Sequence, residues 1–322
     1  MMNRLRVVVD ALIRQGRNNL AVHLVAEDGQ PLPEWQPGAH IDLHLDNGLT
    51  RQYSLTGPGR GERGYVICVA RESHSRGGSR YIHDSLRPGQ VVTVSPPRNV
   101  FPLAAGGEAI LVAAGIGITP LFAMVEALEA SATPFVLHYY VREKHNAAFV
   151  RELSRTFRHG RCHIWYSSEG HSPRGHLPPE LLSADGDRHL YLCGPEGFMD
   201  HMRRVAAEQG WPESRMHSEA FLPPSLPAAE RPDDAFTVTL ASTGQCWPVS
   251  ADKSIACVLQ ENGVNVPLSC EMGMCGACLT GVIAGAVDHR DTVQSTEEKA
   301  APVQQIALCC SRSHSPNLIL DL

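Results

Sequence analysis

Five of the ten cysteines in this 322-residue chain crowd its last fifth, and their spacing sets out a chemistry. Cys270, Cys275 and Cys278 form a C-x4-C-x2-C run, and Cys309 and Cys310 follow about thirty residues later. This is the plant-type [2Fe–2S] spacing, in which one loop supplies three thiolates and a distant segment the fourth. Iron favours soft, anionic sulfur donors, while Gly273 and Gly276 let the loop approach closely and aim its N–H groups at sulfur. A zinc site is the competing reading. Zinc sites usually pair two C-x2-C knuckles, and only one short pair is present. Either Cys309 or Cys310 can be the fourth ligand from spacing alone. If IALCCSR is a strand, their side chains point to opposite faces and only one meets the cluster.

Two other groups of residues carry cofactor chemistry. Gly115, Gly117, Thr119 and Pro120 lie in AAGIGITP, between an apolar run and a helical pattern. Such a turn faces phosphate, since glycine permits close approach and a helix N-terminus favours negative charge. It lacks the third glycine of the Rossmann fingerprint, and a tight packing turn is the alternative reading. Cys193, Gly194 and Pro195 end the last strand of the same unit, where open α/β sheets hold ligands. Cys193 then lies beside a nicotinamide ring or is a small buried side chain that shapes the loop. Upstream, Arg51, Gln52, Tyr53 and Ser54 end a strand, and Gly77, Gly78 and Ser79 follow Arg76 before a short helical segment. Tyr53 offers an aromatic wall for a flavin, and Arg51 with the GGS amides offers a phosphate site. An ordinary strand end and a flexible loop are the plainer alternatives.

The elements that position these groups follow from periodicity. Residues 1–104 show short alternating runs at His40–Leu45, Tyr65–Ala70 and Gln90–Val94, with turns at Asp46-Asn47-Gly48, Gly57-Pro58-Gly59 and Arg87-Pro88-Gly89. They predict an antiparallel flavin-binding β-barrel. Residues 105–227 alternate strand and helix, which predicts a parallel α/β nucleotide-binding domain. Helices are expected over 121–130, 147–157 and 196–210. The apolar run from Ala109 to Val125 is broken by Gly115, Gly117 and Pro120, so it reads as a strand entering a helix and no membrane span is expected. A stretch with four prolines, Leu222–Asp234, reads as a linker. Residues 228–322 complete a multi-domain α+β chain with a β-grasp ferredoxin module.

Charge narrows the partners. The chain carries 28 Lys+Arg against 34 Asp+Glu, a net −6, so it lacks the basic footprint of a nucleic-acid binder. Residues 235–322 hold 4 basic and 8 acidic side chains, placing −4 on the cysteine-rich module. Asp10 and Arg14 interrupt the apolar stretch that an N-terminal signal peptide would need, and exposed thiolate ligands suit a reducing compartment, so a cytoplasmic protein is expected.

RQYS, RGGS, AAGIGITP, YLCGPEGFM, SEAF, the C-x4-C-x2-C run and CCSR occur in one order along the chain. In that order and spacing the chain resembles the phthalate dioxygenase reductase family, which includes vanillate demethylase and carnitine monooxygenase reductases. The C-terminal ferredoxin module goes with FMN in that group. The resemblance implies FMN, a [2Fe–2S] cluster and NADH as cofactors and a Rieske-type oxygenase as partner. It implies that Arg51, Gln52, Tyr53 and Ser54 hold the flavin, that Cys68, Val69 and Ala70 meet it through backbone, and that Gly77, Gly78 and Ser79 bind its phosphate. Thr119 would approach the ring and Phe221 would stack on it. Ser54, Cys193 and Phe221 are the residues expected at the transfer step. Ala70 departs from relatives with lysine there, which removes a side-chain contact and leaves the backbone one. The resemblance selects Cys309 as the fourth iron ligand, leaving Cys310 a buried hydrophobe.

That set of cofactors is internally consistent. A nicotinamide gives up two electrons as one hydride, whereas a [2Fe–2S] cluster takes one at a time, and a flavin exchanges electrons in either manner. The chain has no C-x-H motif partnered with C-x2-H and no 2-His-1-carboxylate pattern, so its terminal acceptor is another protein. The alternative within enzymes is a free-standing NAD(P)H reductase that serves a haem protein or other acceptor. Arg142 and Lys144 could meet a 2′-phosphate, whereas Ser167, Ser168 and Glu169 suit a free ribose, and NADH is the expected donor.

Overall fold

A computed structural model describes residues 4–58, 64–73, 75, 77–221 and 235–322. The predicted linker, Gly59 and Arg76 lie outside these residues. The chain divides into two compact units, Met1–Phe221 and Leu222–Leu322.

The first unit contains two sheets. The antiparallel one comprises β1 (Leu5–Gln15), β2 (Asn19–Ala26), β3 (Ala39–His44), β4 (Thr50–Pro58) and β5 (Tyr65–Ala70), then helix α1 (Gly78–Asp84), β6 (Val91–Val94) and β7 (Arg98–Asn99). Its order is β4-β5-β2-β1-β6-β3-β7, and an extra β4–β3 pairing closes it into the expected barrel, which removes its open edges. Val7, Val9, Leu24, Ile41, Leu43 and Ile67 fill the interior. Gly57 and Pro58 belong to β4, so these two residues of the expected turn are strand residues instead.

The second sheet comprises β8 (Glu108–Ala114), helix α2 (Ile118–Ala130), β9 (Phe135–Val141), helix α3 (Val150–Leu153), β10 (Gly160–Tyr166), β11 (Arg188–Cys193), helix α4 (Glu196–Glu208) and β12 (Met216–Glu219). It is wholly parallel in the order β10-β9-β8-β11-β12. Separate apolar clusters cover its two faces, which is why every residue of β9 is buried. The helix expected over 147–157 shrinks to four residues. Phe149 takes a left-handed φ of 57° and stacks on Phe122 at 4.3 Å, so Ala147–Phe149 enter the core as irregular chain. β12, which carries Glu219 of the SEAF motif, was not anticipated.

The second unit comprises β13 (Phe236–Leu240), β14 (Cys246–Val249), helix α5 (Ile255–Glu261), β15 (Leu279–Ala284), β16 (Val287–Asp288), helix α6 (Thr296–Ala300), β17 (Gln304–Ala307), β18 (Arg312–Ser313) and β19 (Asn317–Leu320). Its main sheet runs β14-β13-β19-β15-β17, with β13 and β19 parallel and the remaining neighbours antiparallel, around α5. Ser254 caps α5 by accepting from Cys257 N, and Ser295 with Glu298 forms a capping box on α6. β17 stops at Ala307, so Cys309 and Cys310 lie on a turn and not on the expected strand.

Candidate functional site

The ladder between β4 and β5 opens at the end that carries Arg51–Ser54. These strands pair from Leu55↔Ile67 onward but not across Arg51–Ser54 and Cys68–Ala70, although β4 continues to pair with β3 and β5 with β2. Backbone groups of Cys68–Ala70 therefore face an unladdered gap on the β4 side among the described residues. That arrangement fits a flavin edge, which needs backbone donors and acceptors. One of those groups is already used: the Val69 carbonyl bonds His83 Nε2 at 2.9 Å.

The strand period sends Tyr53 and Ser54 to opposite faces. Tyr53 is half-buried against the barrel core, which raises its phenol pKa. Ser54 is buried and turns to the parallel sheet, where its Oγ donates to Glu219 Oε2 at 3.4 Å. At the far end of the gap, a Cβ on Gly78 would lie 2.6 Å from Arg51 Cγ, so the Arg51 side chain runs directly over that glycine. Ser79 Oγ donates to Ser75 Oγ at 3.0 Å and accepts from Glu72 N at 3.3 Å. Gln52 reaches elsewhere, donating to Asp42 Oδ1 at 3.1 Å.

The nucleotide turn abuts the same place. A Cβ on Gly117 would lie 2.3 Å from the Cys193 carbonyl oxygen and 2.7 Å from Gly194 N, so glycine alone allows the two loops to meet. Gly115 has a φ of 57°. α2 begins immediately afterward with no acidic residue in its first turn, leaving a helix N-terminus free of like charge for a pyrophosphate. Thr119 is buried and its Oγ1 donates to Ile116 O at 3.0 Å. Cys193 stands opposite Glu219 in the β11–β12 ladder. Burial, reinforced by Glu219, raises the Cys193 thiol pKa well above its ordinary value, so the thiol stays protonated. Burial pushes the Glu219 carboxyl up to about 8, against the lowering effect of Ser54. Cys68, whose thiol is pushed up to about 12, shares an apolar cluster with Cys193, and Phe221 packs against it.

The structure thus brings Ser54, Gly117, Cys193 and Phe221 into one region and adds Glu219, which sequence reasoning missed. The signal was there: an acidic residue two positions before Phe221 in the SEAF motif. Arg142 is exposed after β9, and its carbonyl accepts from Ser168 N at 3.0 Å, which sets it beside the Ser167–Glu169 turn. Pro195 is exposed and precedes α4.

In the second unit the thiols gather. Cys270 neighbours Cys275 and Cys309, and Cys309 neighbours Cys278 and Cys310. The Cys275 and Cys309 thiols, donating to Cys270, hold its pKa far below the ordinary range. Cys309 likewise lowers Cys278. Loop amides also point at sulfur: Met272 N and Met274 N approach Cys270 Sγ at 3.3 and 3.4 Å, and Ala277 N approaches Cys275 Sγ at 3.5 Å. Gly273 and Gly276 make this possible with φ of 73° and 70°. Among the described residues no three ligating side chains are arranged around a single ion. Four neighbouring thiols, two of them met by loop amides, fit an iron–sulfur cluster, which brings its own bridging sulfides.

A strand gap bordered by a nucleotide turn, joined in one chain to a four-thiol amide-lined loop, defines a pyridine-nucleotide oxidoreductase with flavin and iron–sulfur groups. Residues 238–313 match the 2Fe-2S iron-sulfur cluster binding domain, and residues 111–204 match the oxidoreductase NAD-binding domain. The chain is 41% identical over 322 residues to the vanillate O-demethylase oxidoreductase of Pseudomonas sp. (strain HR199 / DSM 7063), covering 99% of this chain and 100% of that one. The solved phthalate dioxygenase reductase, described as modular for electron transfer from pyridine nucleotides to [2Fe-2S], is 35% identical with a TM-score of 0.69, covering 99% of this chain and 98% of its own. An intact type IV self-sufficient cytochrome P450 monooxygenase matches with 32% identity and a TM-score of 0.86, covering 99% of this chain and 41% of that larger one. The chain belongs to the phthalate dioxygenase reductase family and is an oxidoreductase using NADH, FMN and a [2Fe–2S] cluster. No helix among the described residues is long and apolar enough to cross a membrane.

Proposed function

We propose that this chain is the reductase component of a two-component Rieske non-haem iron oxygenase, taking electrons from NADH and delivering them singly to the oxygenase. The observation that carries this reading is its full-length match to a vanillate O-demethylase oxidoreductase. When bound, the flavin accepts hydride from the nicotinamide and passes electrons on singly to the cluster. The chain's own residues position and shield these groups. The backbone of Cys68–Ala70, Tyr53 and Ser54 orients the flavin ring, while Arg51, Gly77, Gly78 and Ser79 hold its phosphate. Gln52 supports the strand end through Asp42. Gly115, Gly117 and Pro120 receive the pyrophosphate at the start of α2, and Thr119 brings that helix against the ring. Cys193, Gly194 and Pro195 seat the nicotinamide; Arg142 borders the ribose.

Ser54, Cys193 and Glu219 lie at the proposed transfer point, where burial raises the Cys193 thiol and pushes the Glu219 carboxyl up to about 8, favouring their neutral forms. That preference would keep these side chains from placing charge beside the hydride path, and Phe221 would cover the ring and exclude water. Cys270, Cys275, Cys278 and Cys309 ligate the iron. The domains are assigned as 1–104 for FMN, 105–227 for NADH and 228–322 for the cluster. Thiolate ligands of this kind support a cytoplasmic location, and the acidic module favours docking on a basic partner surface.

The P450 match favours a second reading, a reductase serving a haem monooxygenase. The purified holoprotein with NADH should reduce a Rieske oxygenase rapidly and a haem monooxygenase slowly, with the rate falling as salt rises. The reverse preference establishes the haem reading, and salt-independent transfer removes the docking idea.

A further inference from the structure

Behind the cluster loop lies a buried carboxylate that the ligand set does not use. The side chain of Asp291 is fully buried, and Lys299 Nζ stands 3.9 Å from its carboxylate. A carboxylate removed from water is costly unless well partnered. Here Oδ2 accepts from Gln294 N at 3.1 Å, and Oδ1 accepts from Gln294 Nε2 at 3.3 Å and Ser311 Oγ at 3.4 Å. His289 Nδ1 lies 3.5 Å from Oδ1.

These bonds tie three segments together at one point. Ser311 Oγ also accepts from Arg290 N at 3.1 Å and lies 3.8 Å from Cys310 Sγ, so the carboxylate braces the turn that carries Cys309. On its other side, Thr292 N and Val293 N donate to the Gly273 carbonyl at 3.0 and 3.2 Å. A Cβ on Gly273 would lie 2.5 Å from Cys310 Sγ and 2.9 Å from Asp291 Cα. Cys310 therefore fills the notch that Gly273 leaves, and Met272 and Met274, whose amides face Cys270 Sγ, flank that glycine.

We propose that Asp291 is a positioning residue of the iron–sulfur site, clamping the cluster loop at Gly273 and holding the cluster's reduction potential down with its buried negative charge. The proposal rests on the cluster being held by Cys270, Cys275, Cys278 and Cys309. Potentials of such clusters respond to local charge, hydrogen bonds to sulfur and exposure. Removing a buried negative charge beside the loop favours the added electron and raises the potential, whereas removing the Lys299 charge exposes that carboxylate's field and lowers it.

The test measures cluster midpoint potential and the electron paramagnetic resonance of the reduced cluster in full-length holoprotein. Asp291→Asn keeps the size of the side chain and one acceptor oxygen while removing the charge, and its potential should rise by about 59 mV, a tenfold change for a one-electron couple. Lys299→Met should lower it, by less, because the lysine is partly exposed and farther from the carboxylate. Opposite shifts with altered resonance lines establish the role. If Asp291→Asn fails to retain a cluster, Lys299→Met alone decides by the sign of its shift. Unshifted potentials with lowered melting temperatures would make Asp291 a structural residue and overturn the proposal. A wild-type protein with visible flavin but no iron–sulfur absorption would instead overturn the ligand assignment beneath it.

Discussion

The iron–sulfur loop and the proposed hydride-transfer region are built on opposite plans. Three of the four thiols lie within the nine residues 270–278, and the amides aimed at them belong to the same loop. The hydride-transfer region takes Ser54 from β4, Gly117 and Thr119 from the start of α2, Cys193 from β11 and Glu219 from β12. A loop that carries both its ligands and their hydrogen-bond donors depends on few long-range contacts. A site assembled from two sheets depends on how the barrel packs against the parallel sheet, and a single intruding atom can disturb it.

The largest expected effect removes a ligand from the local site. Cys309→Ser should abolish the iron–sulfur absorption and slow transfer to one-electron acceptors by roughly 100-fold or more, while NADH still bleaches the flavin. Retention of the cluster would place the fourth ligand elsewhere. Next in size, Gly117→Ala tests the assembled site. Its Cβ would lie 2.3 Å from the Cys193 carbonyl oxygen, so the loops must part. NADH-dependent flavin reduction should fall by about 100-fold in stopped-flow measurements, with cluster absorption unchanged. An equal loss of both signals would show that the two regions are not independent.

A smaller effect concerns the Glu219 carboxyl, which titrates near 8 in the fold against 4.5 unperturbed. Between those values the folded protein retains a proton that the unfolded chain has released, so stability falls as pH rises from about 4.5 to about 8 and levels off above. Glu219→Gln should flatten that part of the melting-temperature profile. An unchanged slope in the variant would assign it to other groups. The smallest effect belongs to Cys310→Ser, which keeps an atom of similar size in the Gly273 notch. Cluster absorption should persist with less than about a 10-fold loss in cluster retention, and complete loss would exchange the roles of Cys309 and Cys310.

Legibility followed the same division. The C-x4-C-x2-C spacing exposed the local site because its ligands are neighbours along the chain. Strand and helix alternation from Ala109 exposed the parallel sheet, whose strand β9 is buried along its whole length. Glu219 escaped notice because its importance comes from two partners, Ser54 and Cys193, that lie 165 and 26 positions away. The α3 region misled through a plausible helical pattern, since the pull of Phe149 into the core against Phe122 outweighs local propensity. The strand assumed for IALCCSR failed for a related reason: turning at Leu308 carries both cysteines to the loop, and alternation across a sheet no longer applies.

By itself the sequence determined the iron–sulfur chemistry, because the type and short spacing of the thiolates carry it, while the order of motifs along the whole chain carried the flavin and nucleotide expectations. Tertiary structure decided which groups meet. Only the packing of β4 against the parallel sheet places Ser54 on Glu219, and only the folded turn seats Cys310 in the Gly273 notch beside Asp291. Contacts between residues distant along the chain arise when apolar faces bury one another, and that burial has no short-range signature in the order of the residues.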